Sequence, residues 1–460
     1  MESELVVCTG TRVLLPDQDI PVPATIVIDK STGRIIDVQQ KFSTRKDFSN
    51  PQISSWIDAG DLVVLPGLVD AHVHLNEPGR TAWEGFQTGT RAAASGGITT
   101  LIDMPLNSLP PTTTVPNLEE KRKAASGQCH TDVGFWGGVI PGNQANLIPL
   151  VEAGVKGFKC FLMESGVDEF PCVAESDLHP ALENLEKVSS VLLFHAELDS
   201  CVSPASKKPD PTHYSTFLES RPQRFEYDAI GLVHKLQKQY PSLRTHIVHL
   251  SAANALPIIR EAKDAGLPLT VETCFHYLCL DAEDIPDGHT EFKCCPPVRE
   301  LANRDKLWEA LKEGYIDFVV SDHSPCVLEL KNLESGDIMS AWGGISTLGL
   351  GLSLLWTEGR KRNCSIAQVV DWMARKTAVH AGLAETKGEL AVGFDGDFVL
   401  WDPEVSFTVS KELLQYKNKI SPYEGKCLTG RVEQTYLRGS LVYDRNVKDF
   451  DSLAPQGRLL

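Results

Sequence analysis

A chain of 460 residues, 42% apolar and 23% charged, is long enough to bury one large core, and this composition excludes a disordered or fibrous protein. A formal net charge of −17 with no offsetting basic patch argues against nucleic acid or an anionic membrane as a partner. Twelve cysteines without a CxxC pair, no secretory pattern at Met1 and no apolar stretch of about 18 residues lead to an expectation of reduced thiols and a cytoplasmic location.

Taken in chain order, residues 6–7, 13–15 and 24–28 read as short strands, with 29–33 as a turn. A regular alternation follows. Strands are expected at 68–75, 98–105, 131–140, 155–162, 191–197, 245–251, 268–276 and 317–323. Helices are expected at 81–95, 118–126, 147–153, 178–189, 225–240, 253–265 and 304–313. The run Lys121-Arg122-Lys123 reads as a solvated helix face, and 203–214 as a surface connection rich in Pro and Lys. Strand texture returns at 397–401 and 431–439. Eight strands separated by helices match a (β/α)8 TIM barrel, an α/β fold, and no Gly-x-Gly-x-x-Gly supports an open doubly wound sheet. The expected layout is a barrel over 66–387. Residues 1–65 and 388–460 would pair at its side as a small β-rich domain.

Barrel enzymes carry their chemistry at strand C-terminal ends. The first strand ends in Asp70-Ala71-His72-Val73-His74, and alternation puts both imidazoles on one face, where they can grip one borderline-soft cation. His195 ends the fifth strand, His249 the sixth, and Asp322 the eighth. His246 and His323 should face away from His249 and Asp322. His130, His179, His213, His234, His289 and His380 fall in helices or connections and read as surface or packing residues. Lys159, late in the fourth strand among apolar residues, reads either as a salt-bridged or snorkelling lysine or as a buried neutral amine. A neutral amine can add CO2 to form a carbamate.

His72-Val73-His74-Leu75-Asn76-Glu77-Pro78-Gly79-Arg80 with Trp83-Glu84-Gly85 resembles the cyclic-amidase branch of the amidohydrolase superfamily, and within it the allantoinases. Asp103-Met104-Pro105-Leu106-Asn107, Gly157-Phe158-Lys159-Cys160-Phe161 and Lys293-Cys294-Cys295-Pro296-Pro297-Val298-Arg299 match as well. So do Ser321-Asp322-His323-Ser324-Pro325-Cys326 and Ala341-Trp342-Gly343-Gly344-Ile345. The resemblance runs from about residue 60 to the end. It implies a TIM barrel with a β-sandwich built from both chain ends. It also implies two divalent ions, usually zinc, with His72 and His74 on the buried ion and His195 and His249 on the exposed one. Lys159 would bridge both as its carbamate, and Asp322 would both ligate and shuttle protons. The implied reaction opens the hydantoin ring of allantoin to give allantoate, a step in purine breakdown. Asn76, Asn107, Cys295 and Gly343 are the expected substrate contacts, and a homo-oligomer, dimer or tetramer, is expected.

Three rivals are weighed against this reading. Dihydroorotases place Arg two residues after the second His to clamp a carboxylate, where this chain has Asn76. Dihydropyrimidinases and hydantoinases supply a tyrosine shortly after the lysine strand, and residues 160–165 contain none. Non-catalytic scaffold relatives lose metal ligands, and all six positions keep the required residue type here.

Overall fold

The computed structural model describes residues 4–48, 52–188, 190–199, 210–447 and 453–460, so residues 203–209 of the expected surface connection lie outside the described residues. The chain opens with β1 (Leu5–Val13), β2 (Val22–Asp29), β3 (Arg34–Gln39), β4 (Ile53–Asp58) and β5 (Val63–Pro66). The middle holds β6 (Leu68–Val73), β7 (Ile98–Asp103), β8 (Asp132–Phe135), β9 (Gly137–Gly138) and β10 (Phe158–Phe161). β11 (Val191–His195), β12 (Arg244–Ile247), β13 (Leu269–Cys274) and β14 (Phe318–Val320) follow. The chain closes with β15 (Phe398–Thr408), β16 (Cys427–Leu437) and β17 (Ser440–Asp444).

The two chain ends share one sheet, in the order β17-β16-β15-β5-β1-β2-β3, with β4 paired to β1. β15 joins the halves by pairing antiparallel to β5, Phe398 opposite Pro66 and Trp401 opposite Val63. The middle strands run parallel in two sheets, β6-β7-β8 and β9-β10-β11-β12-β13-β14. Every residue of β6, β7, β10 and β11 is buried, as expected of parallel strands covered by helices on one face and by packed side chains on the other.

Contacts join the two parallel sheets at both edges. Only Trp136 separates β8 from β9, and its indole N–H donates to the Ala71 carbonyl across the sheet interior at 2.8 Å. The strand expected over 131–140 is therefore broken in its middle. At the far edge, Val73 and His323 form a parallel bridge, and His74 N donates to His323 O at 2.9 Å.

Two expectations are corrected. The first helix covers Phe86–Ser95 rather than 81–95, because Glu77 Oε2 accepts the Phe86 N–H at 2.8 Å and Gly85, at φ 115°, breaks the helical path before it. Lys121 is not on a solvated face. In the helix Val115–Ala125, capped by Thr114, positions 118, 121 and 125 share the inward stripe. Lys121 Nζ donates to Asp103 Oδ2 at 2.6 Å and to the Met104 carbonyl at 2.9 Å, which neutralises a charge buried at the end of β7. Lys123 on the same run is exposed.

A charged clamp ties the terminal sheet to the middle of the chain. Lys387 Nζ lies 2.5 Å from Asp132 Oδ2 and 2.8 Å from both Asp395 and Asp397, while Arg438 reaches Asp132 at 2.5 Å. The last residues dock there too: Arg458 N donates to Asp132 Oδ1 at 2.7 Å, and Leu459 bridges to Val133. Gly67, between β5 and β6, has no room for a side chain, since a Cβ there would sit 2.2 Å from Thr99 Oγ1. The eleven described cysteines are all free. No helix among the described residues is long and apolar enough to cross a membrane.

Candidate metal centre

The ends of five parallel strands converge on one small cavity of about 70 Å3. All six residues read as metal ligands line it: His72, His74, Lys159, His195, His249 and Asp322. The strand periodicity of β6 places His72 and His74 side by side, ring centroids 5.4 Å apart. Their Nε2 atoms lie 3.2 and 3.6 Å from Asp322 Oδ1, and the three ligand atoms fall within 4.8 Å of one another. His195 and His249 face each other edge to face with centroids 4.5 Å apart. His249 lies 5.5 Å from His72, which joins the two pairs into one constellation.

The donor set is prepared for cations. Burial drives His72 and His249 well below the ordinary imidazole range and lowers His195, so all three are neutral bases. His72 Nε2 and His249 Nδ1 are buried without a hydrogen-bond partner, which is costly unless something else engages them. Each pair has a carboxylate behind it. His72 Nδ1 donates to Glu272 Oε1 at 2.5 Å, leaving Nε2 free, and His195 Nε2 donates to Glu197 at 2.7 Å. Glu272 also accepts from His246 Nε2 at 3.1 Å and from the His249 backbone N–H at 3.2 Å. Arg221 holds Glu197 at 2.6 Å, and its guanidinium helps keep that buried carboxyl below its usual range.

His249 and Asp322 both adopt left-handed backbone, φ 39° and 42°. For residues with a Cβ this costs on the order of 1 kcal/mol each, and such strain gathers where a scaffold dictates side-chain direction. Lys159 is 1% exposed, with Nζ 5.2 Å from the Phe161 ring centroid. Burial pulls its ammonium down to about 8, against the opposing pull of the Asp322 and Glu272 carboxylates. The neutral amine is therefore within reach near neutrality.

Of the expected substrate contacts, Asn107, Cys295 and Gly343 line the cavity. Asn107 Nδ2 faces His74 Nδ1 at 3.4 Å. Asn76 does not line it; its amide is turned to the Pro325 carbonyl at 3.5 Å. His246 and His323 point elsewhere: His246 stacks on Phe318, and His323 Nε2 meets Glu84 at 3.2 Å while its Nδ1 accepts from Thr347 N. Trp342 forms another wall, and its buried indole N–H has no partner. Two buried lysines fix that wall. Lys293 Nζ donates to the carbonyls of Met339 and Ala341, at 2.8 and 2.7 Å, and Lys331 Nζ to those of Trp342 and Gly344.

Residues 63–442 match the amidohydrolase family. The chain belongs to that family. Among curated relatives, it is 58% identical over 334 residues to "Allantoinase, mitochondrial" of Aquarana catesbeiana, covering 73% of this chain and 69% of that one. It is 49% identical over 427 residues to the allantoinase of Saccharomyces cerevisiae, covering 92% of each. Among solved structures, it superimposes on the L-hydantoinase of Arthrobacter aurescens with a TM-score of 0.90 at 28% identity, covering 100% of this chain and 99% of that one.

Glu272, Glu197, Arg221, Lys293, Lys331 and Trp342 were not singled out from the sequence as site residues. Glu272 did carry a signal, as a lone acid inside the otherwise uncharged strand Leu269–Cys274. Glu197 follows His195 by two, just past the end of β11, which puts its carboxylate within reach of the imidazole at 2.7 Å.

Proposed function

We propose that this chain is an allantoinase, which hydrolyses the hydantoin ring of allantoin to allantoate in purine breakdown. The observation that carries the reading is the convergence of six ligand-type side chains on one buried cavity in a chain 49% identical to an allantoinase along nearly its whole length. The solved hydantoinase supports the fold and the chemistry class. A hydantoinase specificity is the second reading, weakened by the lack of tyrosine at 160–165.

The donor set fits two divalent ions, with zinc the first candidate: neutral imidazoles, a carboxylate and unpartnered buried nitrogens are what such ions take. His72 and His74 would hold one and His195 and His249 the other. Lys159, as its carbamate, would bridge them, and Asp322 would complete the set. When bound, the ions supply a Lewis acid and a water acidic enough to attack at neutral pH. Asp322 takes the proton of the attacking water and returns it to the departing ring nitrogen. Asn107, Trp342 and the backbone at Cys295 and Gly343, all in the cavity lining, hold the ring amide and its substituent.

In this reading the parallel strands close as a (β/α)8 barrel over 66–387, and 1–65 with 388–460 form a β-sandwich. A homo-oligomer, dimer or tetramer, is proposed. The cytoplasm is the proposed location, with mitochondria the alternative suggested by the amphibian relative's name. Incubating the metal-replete protein with allantoin and quantifying allantoate tests the function. No product above the uncatalysed rate refutes it.

A further inference from the structure

A second trio of ligand-type side chains lies beside the first. Cys274, at the end of β13, His276, two residues on, and Asp322 are all buried, and their ligand atoms fall within 4.8 Å of one another. Asp322 meets His72, His74 and Ser324 through Oδ1. His276 has 0% exposure, and neither of its ring nitrogens has a hydrogen-bond partner. A buried imidazole with both nitrogens idle is unusual, because an unpaired buried polar group costs about 1–3 kcal/mol.

We propose that Cys274, His276 and the Asp322 carboxylate form a further cation site, sharing only Asp322 with the six-residue set, that takes a thiophilic divalent ion such as Zn2+, Co2+ or Cd2+. Thiolate, imidazole and carboxylate suit a borderline-soft tetrahedral ion, with a fourth position left for water. Bonds of about 2.0–2.3 Å set the three ligand atoms about 3.3–3.8 Å apart, a spacing the trio reaches with a shift of at most about 1–1.5 Å. The Cys274 thiol releases its proton to solvent as the metal–sulfur bond forms. On the proposed function, an ion here occupies the carboxylate that must carry the proton, so excess metal slows turnover.

The test is a Co2+ titration of the holoprotein, followed by bound metal per chain and by the near-ultraviolet thiolate-to-cobalt charge-transfer band. The six-residue set contains no thiol, so the band reports a thiolate outside it, and the variants below separate Cys274 from Cys295 in the cavity wall. The expected result is one ion beyond those of the main centre, appearing with the band. Cys274→Ser should abolish the band, and His276→Asn should weaken the extra ion by about tenfold or more while leaving the main centre loaded. A band that survives Cys274→Ser but disappears in Cys295→Ser, or no extra ion at saturating Co2+, overturns the proposal. Because binding is read directly, an extra ion in a protein that does not hydrolyse allantoin would refute the proposed function and leave this site standing.

Discussion

His72 Nδ1 and Glu272 Oε1 lie 2.5 Å apart, although 200 residues separate them in the chain. Glu272 also touches His246 and the backbone of His249, so one carboxylate sets histidines from two strands at once. This contact fixes the His72 tautomer that leaves Nε2 free for a cation. Glu272→Gln keeps the shape but can present an N–H to a nitrogen that itself donates. Metal affinity should fall about 10–100-fold while the fold is retained. Equilibrium dialysis against a chelator, with circular dichroism alongside, checks this; an unchanged affinity would mean that Glu272 only fills space.

Lys159→Ala should abolish hydrolysis and lower bound metal while the strands around it stay folded. Short-chain carboxylic acids in the buffer should restore part of both by occupying the space of the missing carbamate. A variant that turns over normally without them would remove Lys159 from the centre.

How much of this was legible beforehand depended on whether a residue's role is local. His72 and His74 follow from strand alternation alone, and His195, His249 and Asp322 stand at strand ends that hydrophobic runs already mark. Lys121 shows the opposite case. Its neighbours Arg122 and Lys123 suggested a wet face, yet only the packing of that helix on β7 reveals Asp103 as its partner. The break at Trp136 in the third parallel strand is likewise a tertiary effect, since its indole N–H is drawn to Ala71 on another strand. Glu272 was visible as a lone acid in its strand, but nothing near it in sequence names His72. The pairing of the chain ends was anticipated, whereas β3, β4 and β17, short and half exposed, left too weak a pattern.

The clamp around Lys387 predicts a large stability effect. Lys387→Met would leave Asp132, Asp395 and Asp397 sharing a buried pocket, with Arg438 against Asp132 and the half-exposed Arg34 against Asp395 at 3.2 Å as the remaining cations. Removing one partner of a buried pair costs about 3–5 kcal/mol. The denaturant midpoint should drop accordingly, with activity per folded molecule preserved. A shift below about 1 kcal/mol would place the clamp among weak surface pairs.

His380 gives the fold an acid-side weakness. Burial brings its pKa down to about 3, and neither ring nitrogen has a partner against Trp136, His246 and Phe318. The unfolded chain takes up a proton near pH 6.5 that the folded chain refuses until about pH 3. The unfolded state therefore binds more protons in that window, and stability falls as pH drops through it, by about 1.4 kcal/mol per pH unit at most. Urea unfolding at several pH values should give a shallower slope for His380→Phe than for the parent. Equal slopes would place the acid sensitivity elsewhere.

The most direct test of the central claim is a side-by-side measurement of kcat/KM on allantoin, hydantoin, dihydrouracil and dihydroorotate, with bound metal quantified in the same preparation. The account predicts clear preference for allantoin, dihydroorotate the poorest of the four because no arginine stands at position 76, and activity that scales with metal content. Preferential turnover of any of the other three by metal-replete protein would contradict it.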